Sequence, residues 1–231
     1  SKTLAEVVDI NRALHNQAPV IVENGGAMGF PLDQDYPFEL TAHERIGDQA
    51  IIRFSPPYAE IRAFLQAQRA QHGDACHGFG DMSVDEIARL TGLARDEAAQ
   101  ARERLCSEPF VWEDSDINLQ RLRRAAGDLG LRITRGGRFH HLMGDTSKAE
   151  AMQAMRNLYT GPDTPAPLLI ALGDSENDRE MLQNADVAVI VMRPDGSHLD
   201  CAGIRQTLKT SEPGPEGWNL AVQQLLDELR T

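Results

Sequence analysis

The strongest constraint on the fold is a strand–helix–strand pattern near the end of the chain. Apolar runs at 168–172 and 187–192 are separated by an acidic loop at 173–178 and a short helical pattern at 179–184. Both runs have the length of a strand and are almost purely apolar, as is typical of parallel strands buried on both faces. A helix that joins two such strands forms a right-handed crossover. The pattern predicts an α/β fold around a parallel sheet.

The beginning of the chain shows a similar alternation. Thr3 and Glu6 form a capping box that predicts a helix, which Pro19 interrupts. The apolar run 20–22 then predicts a buried parallel strand that ends in a glycine-rich loop at 24–26. We therefore expect this loop to be delivered to a ligand site.

Residues 30–142 contain longer polar stretches and several separately capped helices that alternate with apolar strands, which predicts a separate α+β unit. Helical spacing marks one helix around 58–65, and Ser83 with Glu86 forms a capping box for a second. A third helix is predicted to stop at Gly130. Its apolar face consists of Ile117, Leu122, Ala125 and Leu129. The predicted strands are 51–54, 109–112, 131–134 and 139–143. We expect a core made of 1–29 and 143–231, with 30–142 inserted as a second domain.

The charge balance opposes a polyanionic partner. The chain carries 23 Lys and Arg against 35 Asp and Glu, a formal net charge of -12, so neither nucleic acid nor an anionic membrane is an expected partner. No apolar run approaches the roughly 20 residues of a membrane-spanning helix. The three cysteines are far apart and lack metal-binding spacing. A soluble, cytoplasmic protein with a small-molecule partner is expected, while its oligomeric state stays open.

The loop at 173–178 is the most informative stretch for function. It places Asp174 and Asp178 directly beyond a buried strand, at the edge where open α/β sheets bind ligands, and their hard oxygens suit Mg²⁺. Lys148 begins an earlier helix, where its charge adds to the positive end of the helix dipole and suits an anion. The alternative is an acidic turn in which Asp178 caps the next helix and Lys148 is only solvated. The combination of loop and lysine favours an anion site.

These residues resemble a known superfamily. The loop from Gly173 to Asp178, followed by Met181 and Leu182, is similar to the fourth motif of haloacid dehalogenase phosphatases. Lys148 occupies the place of their third-motif lysine, and 1–3 resembles the tail of their second motif. Further stretches resemble the mannosyl-3-phosphoglycerate phosphatase family nearly end to end; they are 23–27, 78–83, 90–93, 107–109, 135–139 and 213–218. The resemblance implies a Rossmann-like parallel sheet core with an inserted α+β cap domain.

The resemblance also implies roles for individual residues. Asp174 and Asp178 would hold Mg²⁺ directly or through water, Lys148 would neutralise the phosphate, and Asn177 would orient the loop. Ser1, Lys2, Asn24 and Gly25 would lie on the substrate. The substrate implied is a sugar phosphoglycerate, and the products are phosphate and mannosylglycerate.

The cap would select the leaving group. Arg138, behind Gly136 and Gly137, is suited to gripping the substrate carboxylate, because a guanidinium binds a carboxylate through two hydrogen bonds. The alternative is an ordinary hairpin turn with an exposed arginine. Arg104, Glu108 and His140 are weaker candidates.

The resemblance implies a nucleophilic aspartate in an Asp-x-Asp motif, which would form an aspartyl phosphate. Asp33 with Asp35 and Asp114 with Asp116 have this spacing, but neither pair is followed by the expected Gly-Thr. We interpret both as coincidental and expect the motif upstream of Ser1, so that the 231 residues alone would have negligible activity. Two alternatives remain: another sugar phosphatase, such as one for glucosyl-3-phosphoglycerate, or a catalytically silent sugar phosphate-binding protein.

Overall fold

The computed structural model describes residues 2–41, 43–136, 138–200 and 206–230. They form two compact units, Ser1–Ser147 and Lys148–Thr231. The helices are α1 (Leu4–Ala13), α2 (Tyr58–His72), α3 (Val84–Thr91), α4 (Arg95–Arg102), α5 (Asp116–Gly127), α6 (Lys148–Leu158), α7 (Arg179–Gln183) and α8 (Gly214–Leu229). The strands are β1 (Val20–Val22), β2 (Ala27–Pro31), β3 (Glu44–Ile46), β4 (Gln49–Arg53), β5 (Cys76–Gly78), β6 (Ser107–Trp112), β7 (Leu131–Gly136), β8 (Phe139–Gly144), β9 (Ile170–Gly173), β10 (Val187–Met192) and β11 (Thr207–Pro213). In the ranges described, no helix is long and apolar enough to cross a bilayer.

The first unit opens with α1 packed on an antiparallel sheet in the order β1-β2-β4-β3. The predicted capping box is confirmed, because Thr3 Oγ1 accepts from the Glu6 N–H and the Glu6 carboxylate accepts from the Thr3 N–H. The prediction of a parallel strand at 20–22 is wrong, since β1 pairs antiparallel with β2. The cause is a tight reversal after β1, where Glu23, Asn24 and Gly25 all have positive φ.

A second antiparallel sheet, in the order β5-β6-β8-β7, forms the rest of the first unit. Phe110 and Leu142 face α2 and α5, whereas Val111 and Phe139 face α3 and α4. Because neighbouring residues of a strand point to opposite faces, the two helix pairs cover opposite sides of this sheet. The four strands predicted between 51 and 143 are confirmed as parts of β4, β6, β7 and β8.

The predicted apolar face of α5 is confirmed at Leu122 but wrong at Ile117 and Leu129. Leu119, Leu122 and Ala126 are buried, whereas Ile117 and Leu129 are 82% and 65% exposed. Residues three and four positions from Leu122 share its face of a helix, and Ile117 is five positions away. Leu129 lies beyond the helix, which ends at Gly127.

The second unit contains a parallel sheet in the order β11-β10-β9. Val187, Val189 and Val191 of β10 pack against α8, and Ala188 and Ile190 pack on the opposite side, where α7 lies. The sheet is therefore buried on both faces, which explains the continuous apolar runs. The predicted parallel strands are confirmed. β11 was not predicted, because it is a mostly polar edge strand.

The predicted division into a core of 1–29 and 143–231 with an inserted 30–142 stays a proposal. The compact units divide between Ser147 and Lys148. In the described part of the chain, strands pair only with strands of the same unit, so no sheet extends across both units.

Candidate active site

The acidic loop leaves the sheet of the second unit at the end of β9. A short 3₁₀ helix, Glu176–Asp178, then leads into α7. Asp174 and Asn177 are exposed, whereas Asp178 is buried. The loop therefore presents polar groups at the carboxyl edge of a parallel sheet, where ligands bind in this fold class.

Lys148 and Asp178 form an ion pair at this edge. Lys148 is the first residue of α6, and its Nζ donates to Asp178 Oδ1 at 2.6 Å. Both side chains are largely buried. The structure thus brings together the lysine and the loop that the sequence predicts to act on one anion.

Ser175 holds the other oxygen of Asp178. Its Oγ and its N–H donate to Asp178 Oδ2 at 2.6 and 3.3 Å. Burial alone would raise the pKa of Asp178, but the charge of Lys148 and these hydrogen bonds outweigh burial and lower the pKa below its usual value. Asp178 is therefore a carboxylate at neutral pH. Ser175 Oγ also lies against Asn177 Oδ1, which links Asn177 to the same network.

A cavity of about 330 Å³ lies beside these groups. Asp174 and Asp178 line it from the loop, and Gly214 and Trp218 line it from the start of α8. A larger cavity of about 420 Å³ lies in the first unit. There Arg12 is already paired with Asp9 at 2.7 Å, and the cavity lacks the lysine–carboxylate arrangement seen in the second unit. The smaller cavity is the better candidate for chemistry on an anion.

The donor set suits a partly hydrated cation rather than a fully enclosed one. Among the residues that the structure describes, no three His, Cys, Asp or Glu side chains cluster as a metal site. Both oxygens of Asp178 accept hydrogen bonds from Lys148 or Ser175. Asp174 is the more accessible of the two carboxylates that line the cavity. Mg²⁺ is commonly bound by one or two carboxylates together with waters and substrate phosphate, so these residues fit it.

The predicted substrate-binding residues near the start of the chain belong to the first unit. Lys2 is exposed and its Nζ donates to Glu6 at 3.1 Å. Asn24 and Gly25 lie in the left-handed turn after β1, and the Gly25 carbonyl accepts from Thr146 Oγ1 at 3.4 Å. Ser1 lies outside the described residues.

The predicted carboxylate-binding hairpin also belongs to the first unit. Gly136 ends β7 and pairs with Phe139, while Gly137 lies outside the described residues. The guanidinium of Arg138 donates to the carbonyls of Leu90 and Thr91, at 2.7 and 3.1 Å, where α3 ends. Arg138 is thus exposed, and two hydrogen bonds to backbone carbonyls hold its guanidinium in place.

The weaker candidates are buried within the first unit. Arg104 lies against Glu23, and Glu108 accepts from Tyr58 and Arg62. Burial raises the pKa of Glu108 despite those hydrogen bonds. His140 stacks on Phe110, and burial lowers the pKa of the imidazole.

The two Asp-x-Asp pairs have local structural roles or are solvated. Asp33 and Asp35 are exposed in the segment after β2. Asp114 accepts from the N–H of Ser115 and from the amide of Asn118 at the start of α5. Asp116 is exposed in the first turn of that helix. The interpretation of both pairs as coincidental stays a prediction.

Two residues at the acidic loop were not assigned from the sequence. Ser175 had a detectable signal, since a serine three positions before an aspartate is the spacing of a cap. Arg193 carries no such sequence signal. It lies near Asp174 only because β9 and β10 are neighbours in the folded sheet.

Proteins similar to this chain are found among curated sequences and among solved structures. No family model matches the chain. A glucosyl-3-phosphoglycerate/mannosyl-3-phosphoglycerate phosphatase from Persephonella marina is 35% identical over 230 residues, covering 99% of this chain and 83% of the relative. One of the same name from Methanococcoides burtonii is 36% identical over 227 residues, covering 98% of this chain and 82% of the relative.

Solved structures show the same fold at lower identity. A Thermoplasma acidophilum protein matches with a TM-score of 0.61 and 17% identity, covering 96% of this chain and 79% of that one. A phosphatase of the haloalkanoate (HAD) enzyme superfamily from Bacteroides thetaiotaomicron matches with a TM-score of 0.58 and 17% identity, covering 96% and 78%. The structural matches confirm the predicted fold class, a Rossmann-like α/β core with a cap. Because the two sequence relatives match nearly the whole chain at 35% and 36% identity, the chain belongs to the family of glucosyl-3-phosphoglycerate/mannosyl-3-phosphoglycerate phosphatases.

Proposed function

We propose that this protein hydrolyses the phosphate ester of glucosyl- or mannosyl-3-phosphoglycerate, releasing phosphate and the corresponding sugar glycerate. The observation that carries the proposal is the Lys148–Asp178 ion pair at 2.6 Å, beside Asp174 at the carboxyl edge of the parallel sheet. A positive group held in place next to an accessible carboxylate suits a metal-assisted reaction on a phosphate. The two curated relatives carry this substrate pair in their names.

Lys148 is the proposed electrostatic catalyst. Phosphoryl transfer builds charge on the equatorial oxygens of the transferring group, and a fixed cation stabilises that charge. Asp178, itself held by Ser175, keeps the lysine in one position, so that little reorganisation is needed during the reaction. Asn177 is proposed to orient the loop through its contact with Ser175.

Mg²⁺ is the proposed cofactor. Asp174 would bind it directly, and Asp178, whose oxygens already accept hydrogen bonds, would act through water or through Lys148. When bound, the ion would neutralise charge on the phosphate oxygens and orient the substrate.

The proposed recognition of the substrate involves residues of the first unit. Arg138 still has donors beyond those that bind the two α3 carbonyls, because a guanidinium carries five N–H groups. We propose that it binds the glycerate carboxylate, with Gly136 and Gly137 allowing close approach. Ser1, Lys2, Asn24 and Gly25 are proposed to contact the phosphate end of the substrate.

A cytoplasmic location and a role in mannosylglycerate biosynthesis complete the proposal. Cys76 and Cys106 are buried free thiols, which suits a reducing compartment. Burial raises the pKa of both thiols, so they are unreactive.

Phosphate release with Mg²⁺ tests the function. Glucosyl- and mannosyl-3-phosphoglycerate are compared with a panel of other sugar phosphates, using the natural protein that carries these residues. Lys148→Met and Asp174→Asn should each lower kcat by roughly 100- to 1,000-fold, the usual loss when one fixed group at a developing charge is removed. Lys209→Met is a matched control, because Lys209 is an exposed lysine of the same unit on β11.

Three outcomes would contradict the proposal. Preference for an unrelated sugar phosphate would reject the substrate class. Full activity of Lys148→Met would reject the site. Tight binding of both phosphoglycerate esters without phosphate release would favour the silent binding protein.

A further inference from the structure

Arg193 connects the loops that follow two neighbouring strands. It is the first residue after β10, and its Nε donates to the carbonyl oxygen of Asp174, the first residue after β9, at 2.8 Å. Its Nη1 donates to Ser197 Oγ at 3.4 Å. One guanidinium therefore bridges two loops at the same edge of the sheet.

The turn that carries Arg193 is internally closed. The N–H of Arg193 donates to the Ser197 carbonyl, and the N–H of Gly196 donates to the Arg193 carbonyl, both at 2.9 Å. Asp195 Oδ1 accepts from the N–H and the Oγ of Ser197, at 2.9 and 2.7 Å. Arg193 is thus anchored at both its backbone and its guanidinium, and it offers a fixed support to the acidic loop.

The backbone of Asp174 is held from both sides. Its N-terminal neighbour, Gly173, is the last residue of β9 and pairs with Ile190 of β10. On its C-terminal side, the carbonyl of Asp174 is bound by Arg193. Because the backbone fixes the direction of the Cα–Cβ bond and limits which rotamers are allowed, these two restraints narrow the positions open to the Asp174 carboxylate.

We propose that Arg193 is a positioning residue that orients Asp174 for Mg²⁺ binding. The inference rests on the proposed function, because it concerns the carboxylate assigned there to the metal. It assigns a role to a residue that is not itself proposed to bind the ion.

Positioning and simple electrostatics predict opposite effects for Arg193→Met. A guanidinium beside an acidic loop repels a cation, so removing its charge alone would tighten Mg²⁺ binding. If Arg193 orients Asp174, removing it weakens binding instead. Loss of a residue that orients a metal ligand typically costs roughly 10- to 100-fold in metal affinity.

The test is Mg²⁺ binding without substrate, in the natural protein that carries these residues. Isothermal titration calorimetry and the Mg²⁺-dependent rise in melting temperature give the affinity independently of turnover. Arg193→Met should bind Mg²⁺ roughly 10- to 100-fold more weakly. Arg193→Lys should lie between it and the wild type, since an ammonium cannot bridge both loops in the planar geometry of arginine.

Arg156→Met is the matched control. Arg156 belongs to the same unit and is similarly half-buried, but it pairs with Asp186, just before β10 at the opposite end of that strand. The substitution removes the same charge and should leave Mg²⁺ affinity within about twofold, because solvent and salt screen charges beyond roughly 10 Å.

Unchanged or tighter Mg²⁺ binding by Arg193→Met would overturn the inference, as would an equal loss in Arg156→Met. If the wild type releases phosphate and binds Mg²⁺ while Arg193→Met behaves like it, only the role of Arg193 fails. If the wild type itself binds no Mg²⁺, the metal assignment and this inference fail together.

Discussion

Gly173 and Asp178 pack so closely that no side chain fits on the glycine. A Cβ added to Gly173 would lie 2.5 Å from the Asp178 Cβ and 2.9 Å from its Cγ, closer than real Cβ contacts come. The end of β9 and the Asp178 side chain are therefore in direct contact. The position of Asp178, and with it that of Lys148, depends on the absence of a side chain at residue 173.

Gly173→Ala should displace Asp178 and reduce phosphate release by at least about tenfold, because a misplacement near 1 Å at a reacting centre costs roughly 100-fold. Overpacking should also lower the free energy of unfolding by about 1–3 kcal/mol. Gly161→Ala is the control in the same unit, since its Cβ would meet Thr164 Oγ1 at an ordinary 3.5 Å. Activity assays and urea denaturation measure both effects. Equal behaviour of the two variants would contradict the close packing.

Asp178→Asn should alter the pH dependence of stability. The pKa of Asp178 lies below its usual value in the folded protein, with burial opposed by Lys148 and Ser175. The ion pair therefore stabilises the fold above the unfolded pKa of about 3.9, and this contribution disappears as the pH falls through the folded pKa. We expect the free energy of unfolding of Asp178→Asn to be roughly 1–3 kcal/mol below that of the wild type at pH 7, and this difference to shrink below pH 4.

Urea denaturation between pH 3 and pH 8 checks this expectation. Asp227→Asn provides the control, because Asp227 and Arg230 are exposed and 3.9 Å apart, a surface pair of little energetic value. A deficit for Asp178→Asn that stayed constant across the pH range would mean that the carboxylate charge is not its source.

The acidic loop and its lysine were predictable because each carries a local signal. Residues 173–178 follow an apolar run, and Lys148 begins a helix in the pattern that the structure confirms. They converge because the start of α6 lies at the edge of the sheet where β9 ends, as the ion pair of Lys148 with Asp178 shows. Local pattern and topology agree here, so the proximity of Lys148 to the acidic loop was predictable from the sequence, while their roles stay predictions.

Other features depend on contacts between distant residues. The run 20–22 has the composition of a parallel strand, yet the three positive φ angles that follow it turn the chain back into an antiparallel pair. No residue preference near Arg193 indicates that its guanidinium reaches Asp174, 19 positions away. Such relationships appear only when the strands are assembled.

Arg138→Met should raise KM for the phosphoglycerate esters by roughly tenfold or more with little change in kcat, because a charge-assisted hydrogen bond contributes about 1.5–3 kcal/mol. Hydrolysis of a sugar phosphate without a carboxylate should be unaffected. Steady-state kinetics on both substrate types measure this effect. Arg135→Met is the control, an exposed arginine of the same hairpin. A fall in melting temperature with unchanged KM would assign Arg138 solely to its contacts with the end of α3.

Glu23 is fully buried at the left-handed turn after β1. Its Oε1 accepts from the N–H of Leu105 at 2.6 Å, and its Oε2 accepts from the N–H of Cys106 at 3.1 Å and from Ser107 Oγ at 2.6 Å. Arg104 Nε lies 3.6 Å from the same carboxylate. Non-glycine residues with positive φ are unfavourable, so this network compensates for the turn by tying it to the segment before β6.

Glu23→Gln should destabilise the fold by about 3–5 kcal/mol, because it leaves the buried charge of Arg104 without its partner and turns an amide N–H₂ towards other donors. Glu39→Gln, at an exposed position, should change the free energy of unfolding by less than about 0.5 kcal/mol. If the buried charge of Arg104 causes the loss, Glu23→Met combined with Arg104→Met should recover part of it, because an apolar pair has no uncompensated charge. Urea denaturation of Glu23→Met, Arg104→Met and the double variant decides between the two causes. If the losses of the two single variants simply add, the cost lies in the broken turn rather than in the unpaired arginine.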